Sequence, residues 1–208
     1  MEESIYGTYK ESMEKIMQTL VEELEKKNNL IFQETGEKGY EHITARLKSD
    51  QSMRKKLLAR KLPIDTYHAL RSLRDSIGLR IICSFRDDVY KMVDELKQMP
   101  EVEVIEEKDY IKKAKENGYR SYHMILEMTV PYEDVDGNLP GKYYVEIQLR
   151  TIAMDTWAEL EHKIRYKKDV ANREVIASEL KRCADELASC DLSMQTIRDL
   201  IRENRGNL

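Results

Sequence analysis

The stretch Tyr143-Tyr144-Val145-Glu146-Ile147-Gln148-Leu149-Arg150 alternates without a break. Val145, Ile147 and Leu149 leave one face of an extended chain, and Tyr144, Glu146, Gln148 and Arg150 leave the other. Such a strand belongs to a sheet that buries one face under apolar packing. Its other face offers a carboxylate, an amide and a guanidinium to whatever lies above it.

Two further segments share the pattern. Residues 42–48 place Ile43, Ala45 and Leu47 on one side, with His42, Thr44, Arg46 and Lys48 on the other. Leu79–Phe85 places Leu79, Ile81, Cys83 and Phe85 together, opposite Arg80, Ile82 and Ser84. Strands are also predicted at 101–107, beyond Pro100, and at 122–130, where the Asp136-Gly137 pair turns the chain back. Helices are predicted over 5–27, with Ile5, Tyr9, Met13, Ile16, Leu20 and Leu24 in steps of three and four, and over 50–61, capped by Ser49. Further helices are predicted over 64–76 and 87–98. About five strands with flanking helices give an α+β (mixed α/β) sandwich.

From about 171 to 204 the chain reads as a helix. Ile176, Leu180, Cys183, Leu187, Cys190, Met194, Ile197 and Ile201 form a heptad seam. That seam serves either a helix docked on its own core or self-association. We expect a single unit over 1–208, with its core at about 40–170 and helical extensions at both ends.

The composition, 41% hydrophobic and 36% charged over 208 residues, is that of a soluble globular chain. No apolar run approaches the roughly 18 residues that span a bilayer, and the acidic start does not resemble a signal peptide. Cys83, Cys183 and Cys190 show no metal-type spacing, so free thiols and a cytoplasmic setting are expected. A net charge of −4 argues against a nucleic-acid coat. The chain has neither a P-loop nor a dinucleotide fingerprint.

Three constellations carry chemistry. Asp75 precedes the strand bearing Arg80, so it can reach the same end of the sheet as Glu146. Mg²⁺ takes one or two carboxylates and leaves its other positions to water and phosphate oxygens, and two acids from separate elements suit it. A carboxylate and an arginine on one sheet face, such as Glu146 and Arg150, can also simply pair across strands. The segment Arg46–Lys61 holds seven basic residues against one acid. Ser52 and Lys56 lie one helical turn apart there, a pattern that fits a polyphosphate cradle, an RNA-binding stripe or a solvated helix. Finally, Tyr119 follows Gly118 just before a strand, placed either to stack a base or to tuck into the core.

Asp75-Ser-Ile-Gly-Leu-Arg80, Asn117-Gly-Tyr-Arg-Ser-Tyr-His123, Glu146-Ile-Gln-Leu-Arg-Thr151 and Trp157-Ala-Glu-Leu-Glu-His162, followed by Tyr166-Lys167, occur in that order. With Arg46 and Lys48 ahead of them, these motifs closely resemble the synthetase domain of the RelA/SpoT alarmone enzymes. The length and layout are similar to the stand-alone RelQ-type small synthetases. The resemblance implies a nucleotidyltransferase-like fold with a mixed five-stranded sheet. It also implies transfer of the β,γ-pyrophosphoryl group of ATP to the 3′-hydroxyl of GDP or GTP, with AMP released.

By matched position, the resemblance gives Asp75 and Glu146 as the Mg²⁺ site, with Glu146 also a candidate for activating the hydroxyl. It gives Arg46, Lys48, Ser52, Lys56 and Arg80 to ATP, with Arg46 and Arg80 sandwiching adenine. Lys115, Asn117, Tyr119, His123, Gln148 and Ala158 fall on the GDP/GTP side. It further implies a homotetramer with a central cleft where product binds. None of the four histidines precedes an aspartate, so the hydrolase motif of the bifunctional relatives is missing and synthesis alone is expected. A catalytically silent nucleotide or single-stranded-RNA binder is the rival from another class.

Overall fold

The computed structural model of the chain describes residues 4–165 and 172–206. The Tyr166-Lys167 motif and the expected core end near 170 lie outside the described residues. The elements are α1 (Lys10–Thr35), β1 (His42–Leu47), α2 (Asp50–Ala59), β2 (Ile77–Cys83), α3 (Arg86–Lys97), β3 (Val102–Asp109), β4 (Tyr122–Val130), β5 (Gly141–Thr151), α4 (Ile152–Arg165) and α5 (Arg173–Gly206).

The five strands form one mixed sheet in the order β1-β2-β5-β4-β3. Only the β2–β5 pair is parallel; β1 on β2, β4 on β5 and β3 on β4 run antiparallel. This is the α+β arrangement expected from alternation, and its central strand is β5, which carries Tyr143–Arg150.

The parity holds. Val145, Ile147 and Leu149 are fully buried, as are Leu79 and Ile81 beside them. The inner face of α1 joins the same core through Met13, Ile16, Leu20 and Leu24, and α3 joins it through Val89, Met92, Val93 and Leu96. At roughly 25 cal/mol per Å² of apolar surface, this cluster is the main source of stability. α1 runs past its predicted end, to Thr35. Gly36 then stops it in a left-handed conformation (φ 74°), its N–H donating to Phe32 O. Ser49 caps α2 as expected, its side chain accepting from Ser52 N.

Two expectations fail. The predicted helix over 64–76 is cut to residues 66–72 and winds wide over His68–Ser72, after which Leu73 is extended. The Asp65 carboxylate accepts from His68 N at 2.8 Å, and Leu73 N–H donates to His68 O, five residues back. This closes the turn and releases the chain toward Asp75. Ile82, expected on the polar face, is 1% exposed, because that end of the face is roofed. The roof is α4, a segment to which the sequence reading gave no element; its Asp155 and Glu159 pair with Arg80 from above.

Asp134 fixes the wide turn in place. It is 1% exposed and accepts from the N–H groups of Asp136, Asn138 and Lys142. Arg71, within the turn, donates to Asp134 at 2.7 Å and to Lys142 O at 3.0 Å. Burial pushes the Asp134 carboxyl up, but the N–H donors outweigh it and hold its pKa down at about 2, against an ordinary 3.8. A depressed folded pKa contributes stability above the unfolded value that disappears as pH falls through the folded one. Asp134 therefore contributes about 2 kcal/mol that is complete above pH ~4 and lost toward pH ~2. Asp134→Ala is expected to cost about 3 kcal/mol at neutral pH and to flatten acid unfolding in that window. Urea titrations across pH 2–7 check both effects.

Candidate active site

Strand register assembles the polar face in rows. Arg46, Gly78 and Glu146 are successive Cα partners across β1, β2 and β5. The next row runs Thr44, Arg80, Gln148, His123 and on to Lys108. Gly78 has no side chain to fill the space between Arg46 and Glu146, so the floor there is bare backbone. A cleft of about 410 Å³ opens above it, lined by Arg46, Lys48, Ser52, Asp75, Arg80 and Glu146 among others. All but one of the residues given to ATP by the resemblance line this cleft, and Lys56 reaches it through Asp75.

Asp75 is the electrostatic centre. Its Oδ2 accepts from Lys56 Nζ at 2.5 Å and lies 2.7 Å from Lys48 Nζ. Lys48 is itself tied to the start of β2, its N–H donating to Ser76 O at 2.9 Å. Burial favours the neutral acid, but the two ammonium groups together prevail and hold the carboxyl below its ordinary range, so it is charged at neutral pH. Its other oxygen, Oδ1, is buried without a hydrogen-bond partner. A buried, charged, unpartnered oxygen in a cleft that Glu146 also lines fits a divalent cation. Among the described residues no group of three or more His, Cys, Asp or Glu could hold a metal. Two carboxylates with water and phosphate oxygens are a Mg²⁺ donor set, unlike a closed structural site.

On the far side of Glu146 the face becomes aromatic. The Tyr119 hydroxyl lies 2.8 Å from His123 Nε2 and accepts from Arg150 Nη2 at 2.8 Å. Its ring centroid is 5.8 Å from that of His123 and 6.4 Å from that of Trp157, both edge-on. Lys115 Nζ sits 4.9 Å from the same ring. Asn117 Oδ1 accepts from Tyr119 N, closing the loop that presents the tyrosine. Burial, then the charges of Arg150, Lys115 and Lys108, push His123 down to about 4, so its imidazole is neutral at pH 7. Gln148 joins the two halves: its Nε2 donates to Glu146 Oε2 at 3.3 Å and its Oε1 accepts from Arg150 at 3.0 Å.

Sequence reasoning thus named residues that do converge, with two qualifications. Ala158 is 9% exposed and packs with Trp157 and Ala184 in a small apolar cluster that Tyr119 flanks, placing it behind the tyrosine. Arg150, set aside as a possible cross-strand partner, is the buried hub of the aromatic side. It is 4% exposed and donates to Asp155, Tyr119 and Gln148. Asp155 and Glu159, spaced by four on α4, were the available signal for a helix facing these arginines.

Comparison with known proteins gives the family. Residues 45–171 match the region found in RelA / SpoT proteins. The chain is 41% identical to the GTP pyrophosphokinase YwaC of Bacillus subtilis, over 84% of this chain and 83% of the relative. It is 34% identical to the GTP pyrophosphokinase YjbM of the same organism, over 78% and 74%. The crystal structure of small alarmone synthetase 1 from Bacillus subtilis, bound to its product pppGpp, superposes with a TM-score of 0.79. It is 30% identical and covers 91% of this chain and 94% of that one. The chain belongs to the RelA/SpoT family.

Proposed function

We propose that the chain transfers the β,γ-pyrophosphoryl group of ATP to the 3′-hydroxyl of GDP or GTP, releasing AMP and making guanosine tetra- or pentaphosphate. One observation carries the reading. A single sheet face holds a basic cleft around Asp75 on one side and the aromatic cluster of Tyr119 and His123 on the other, with Glu146 and Gln148 between them. Two nucleotides bound on that face would meet at Glu146, and such positioning supplies much of the acceleration.

Lys48, Ser52 and Lys56 bind and orient the triphosphate, and Arg46 and Arg80 offer planar guanidinium groups to adenine. Tyr119, Lys115, Asn117 and His123 hold the guanosine nucleotide, with Gln148 fixing its reacting end. Asp75 and Glu146 would hold Mg²⁺, which when bound neutralises charge on the phosphoryl oxygens. Glu146 lies closest to the acceptor half and orients the attacking hydroxyl. Lys56 and Lys48, already paired with Asp75, stabilise charge developing on the leaving AMP oxygen.

Incubation with ATP, GTP and Mg²⁺ followed by product separation tests the reading. AMP together with a pyrophosphorylated guanosine is expected. Released pyrophosphate would point to a nucleotidyltransferase, and the absence of any product to a binding-only role.

Self-association through α5 belongs to the same proposal. Leu180, Ala184 and Leu187 face the core, while Cys183, Cys190, Met194, Ile197 and Ile201 of the same seam stay exposed. Met194, Ile197, Leu200 and Ile201 are each about half exposed, an apolar stripe that suits a helix of another copy. Light scattering at micromolar concentration is expected to give a homotetramer; a monomer would remove the assembly. Binding of product in a cleft of that assembly is part of the reading, as is binding of single-stranded RNA by the outer basic face of α2. The three cysteines are free thiols, which accords with a cytoplasmic location. No helix among the described residues is long and apolar enough to cross a membrane.

A further inference from the structure

The loop that presents Tyr119 is braced from outside by α5. Arg120 Nη1 donates to Gly118 O at 3.1 Å, within its own loop, and to Ala184 O at 3.2 Å on α5. Its Nη2 donates to Asp185 at 3.0 Å. Gly118 holds φ +91°, and a Cβ placed there would lie 2.6 Å from the Ala184 methyl and 3.4 Å from Lys181 Cα. The loop therefore seats on α5 only while position 118 carries no side chain. A second anchor lies just beneath: Trp157 Nε1 donates to Leu180 O at 2.7 Å.

From these contacts we infer that Arg120 is a positioning residue for the guanosine-nucleotide pocket, acting by pinning the Tyr119 loop to residues 180–185 of α5. A guanidinium that bridges two backbone carbonyls and a carboxylate fixes the loop relative to the helix in a way no single hydrogen bond could. The donor-side residues Arg46, Lys48, Ser52 and Arg80 stand on β1, the link after it, α2 and β2, so loss of the brace should spare ATP. The inference rests on the acceptor-side reading of Tyr119.

Steady-state rates with each nucleotide varied in turn test it. In Arg120→Ala the KM for GDP and GTP is expected to rise about tenfold or more, while the KM for ATP stays within about twofold. Arg120→Lys, which keeps the charge facing Asp185 but not the fork, is expected to fall between. Gly118→Ala should show the same acceptor-selective loss, partly restored by adding Ala184→Gly. Arg182→Ala, on the exposed side of α5, is the control and should leave both KM values unchanged.

Hydrogen exchange gives a readout independent of turnover: residues 115–120 should exchange faster in Arg120→Ala, with the sheet unaffected. Equal rises in both KM values, no change in either, or unaltered exchange in the loop would overturn the inference. A wild-type chain that forms no product defeats the pyrophosphoryl-transfer reading instead. An active wild type with an indifferent Arg120→Ala defeats only the role of Arg120.

Discussion

Asp75→Asn and Glu146→Gln are each expected to lower pyrophosphoryl transfer by about 10³-fold while the chain stays folded. Each substitution keeps shape and removes one negative charge. At Asp75 the consequence is double: Oδ1, the buried oxygen with no partner, loses its capacity to hold a cation, and Lys48 and Lys56 lose the charge that fixes them. Both lysines are about a quarter to a third exposed and can turn to water, so the folding cost is small beside the catalytic one. Initial rates at saturating nucleotide, with melting curves for each variant, check this. A folded Asp75→Asn or Glu146→Gln that turns over at the wild-type rate would remove the two-carboxylate account.

Tyr119→Ala is expected to weaken GDP or GTP binding about tenfold to a hundredfold, from a stacking contribution of roughly 1–3 kcal/mol per base. ATP binding should be unchanged. The hydroxyl adds a separate effect, because it links neutral His123 to the buried Arg150. Tyr119→Phe keeps the ring and removes only that link, so its loss should be the smaller one. Calorimetric titration of each nucleotide separates the cases. Equal losses for ATP and GTP would contradict the stacking role.

Much of this site was legible in the chain because a strand has a fixed period of two. Once Val145, Ile147 and Leu149 were read as buried, Glu146 and Gln148 had to share the opposite face. The same argument placed Arg46 and Arg80 on it, and the β1–β2–β5 register then set Arg46, Gly78 and Glu146 in one row. The cap at Ser49 was equally local. Three features were not legible, each because its cause lies far away in sequence.

The turn at 68–72 breaks a helical pattern in a segment that Asp134 and Asp136 then clamp through Arg71, more than sixty residues distant. Arg150 read only as a possible cross-strand partner until α4 covered it and brought Asp155 within 2.9 Å. The α5 seam has a clear period, but periodicity does not say which neighbour a face meets. The helix docks on a face rotated from that seam, burying Ala184, Asp191 and Arg198, with Arg198 paired to Asp88 at 3.1 Å. The apolar residues left outside are those proposed for a second copy.

The central claim is that a guanosine 3′-hydroxyl attacks the β-phosphorus of ATP on this sheet face. It is tested most directly by giving the enzyme β-labelled ATP with either GTP or 3′-deoxy-GTP and following label and AMP together. The account predicts AMP formed one-for-one with labelled guanosine product for GTP, and neither above background for the 3′-deoxy analogue. Equal AMP release with the analogue, or label appearing only as free pyrophosphate, would contradict it.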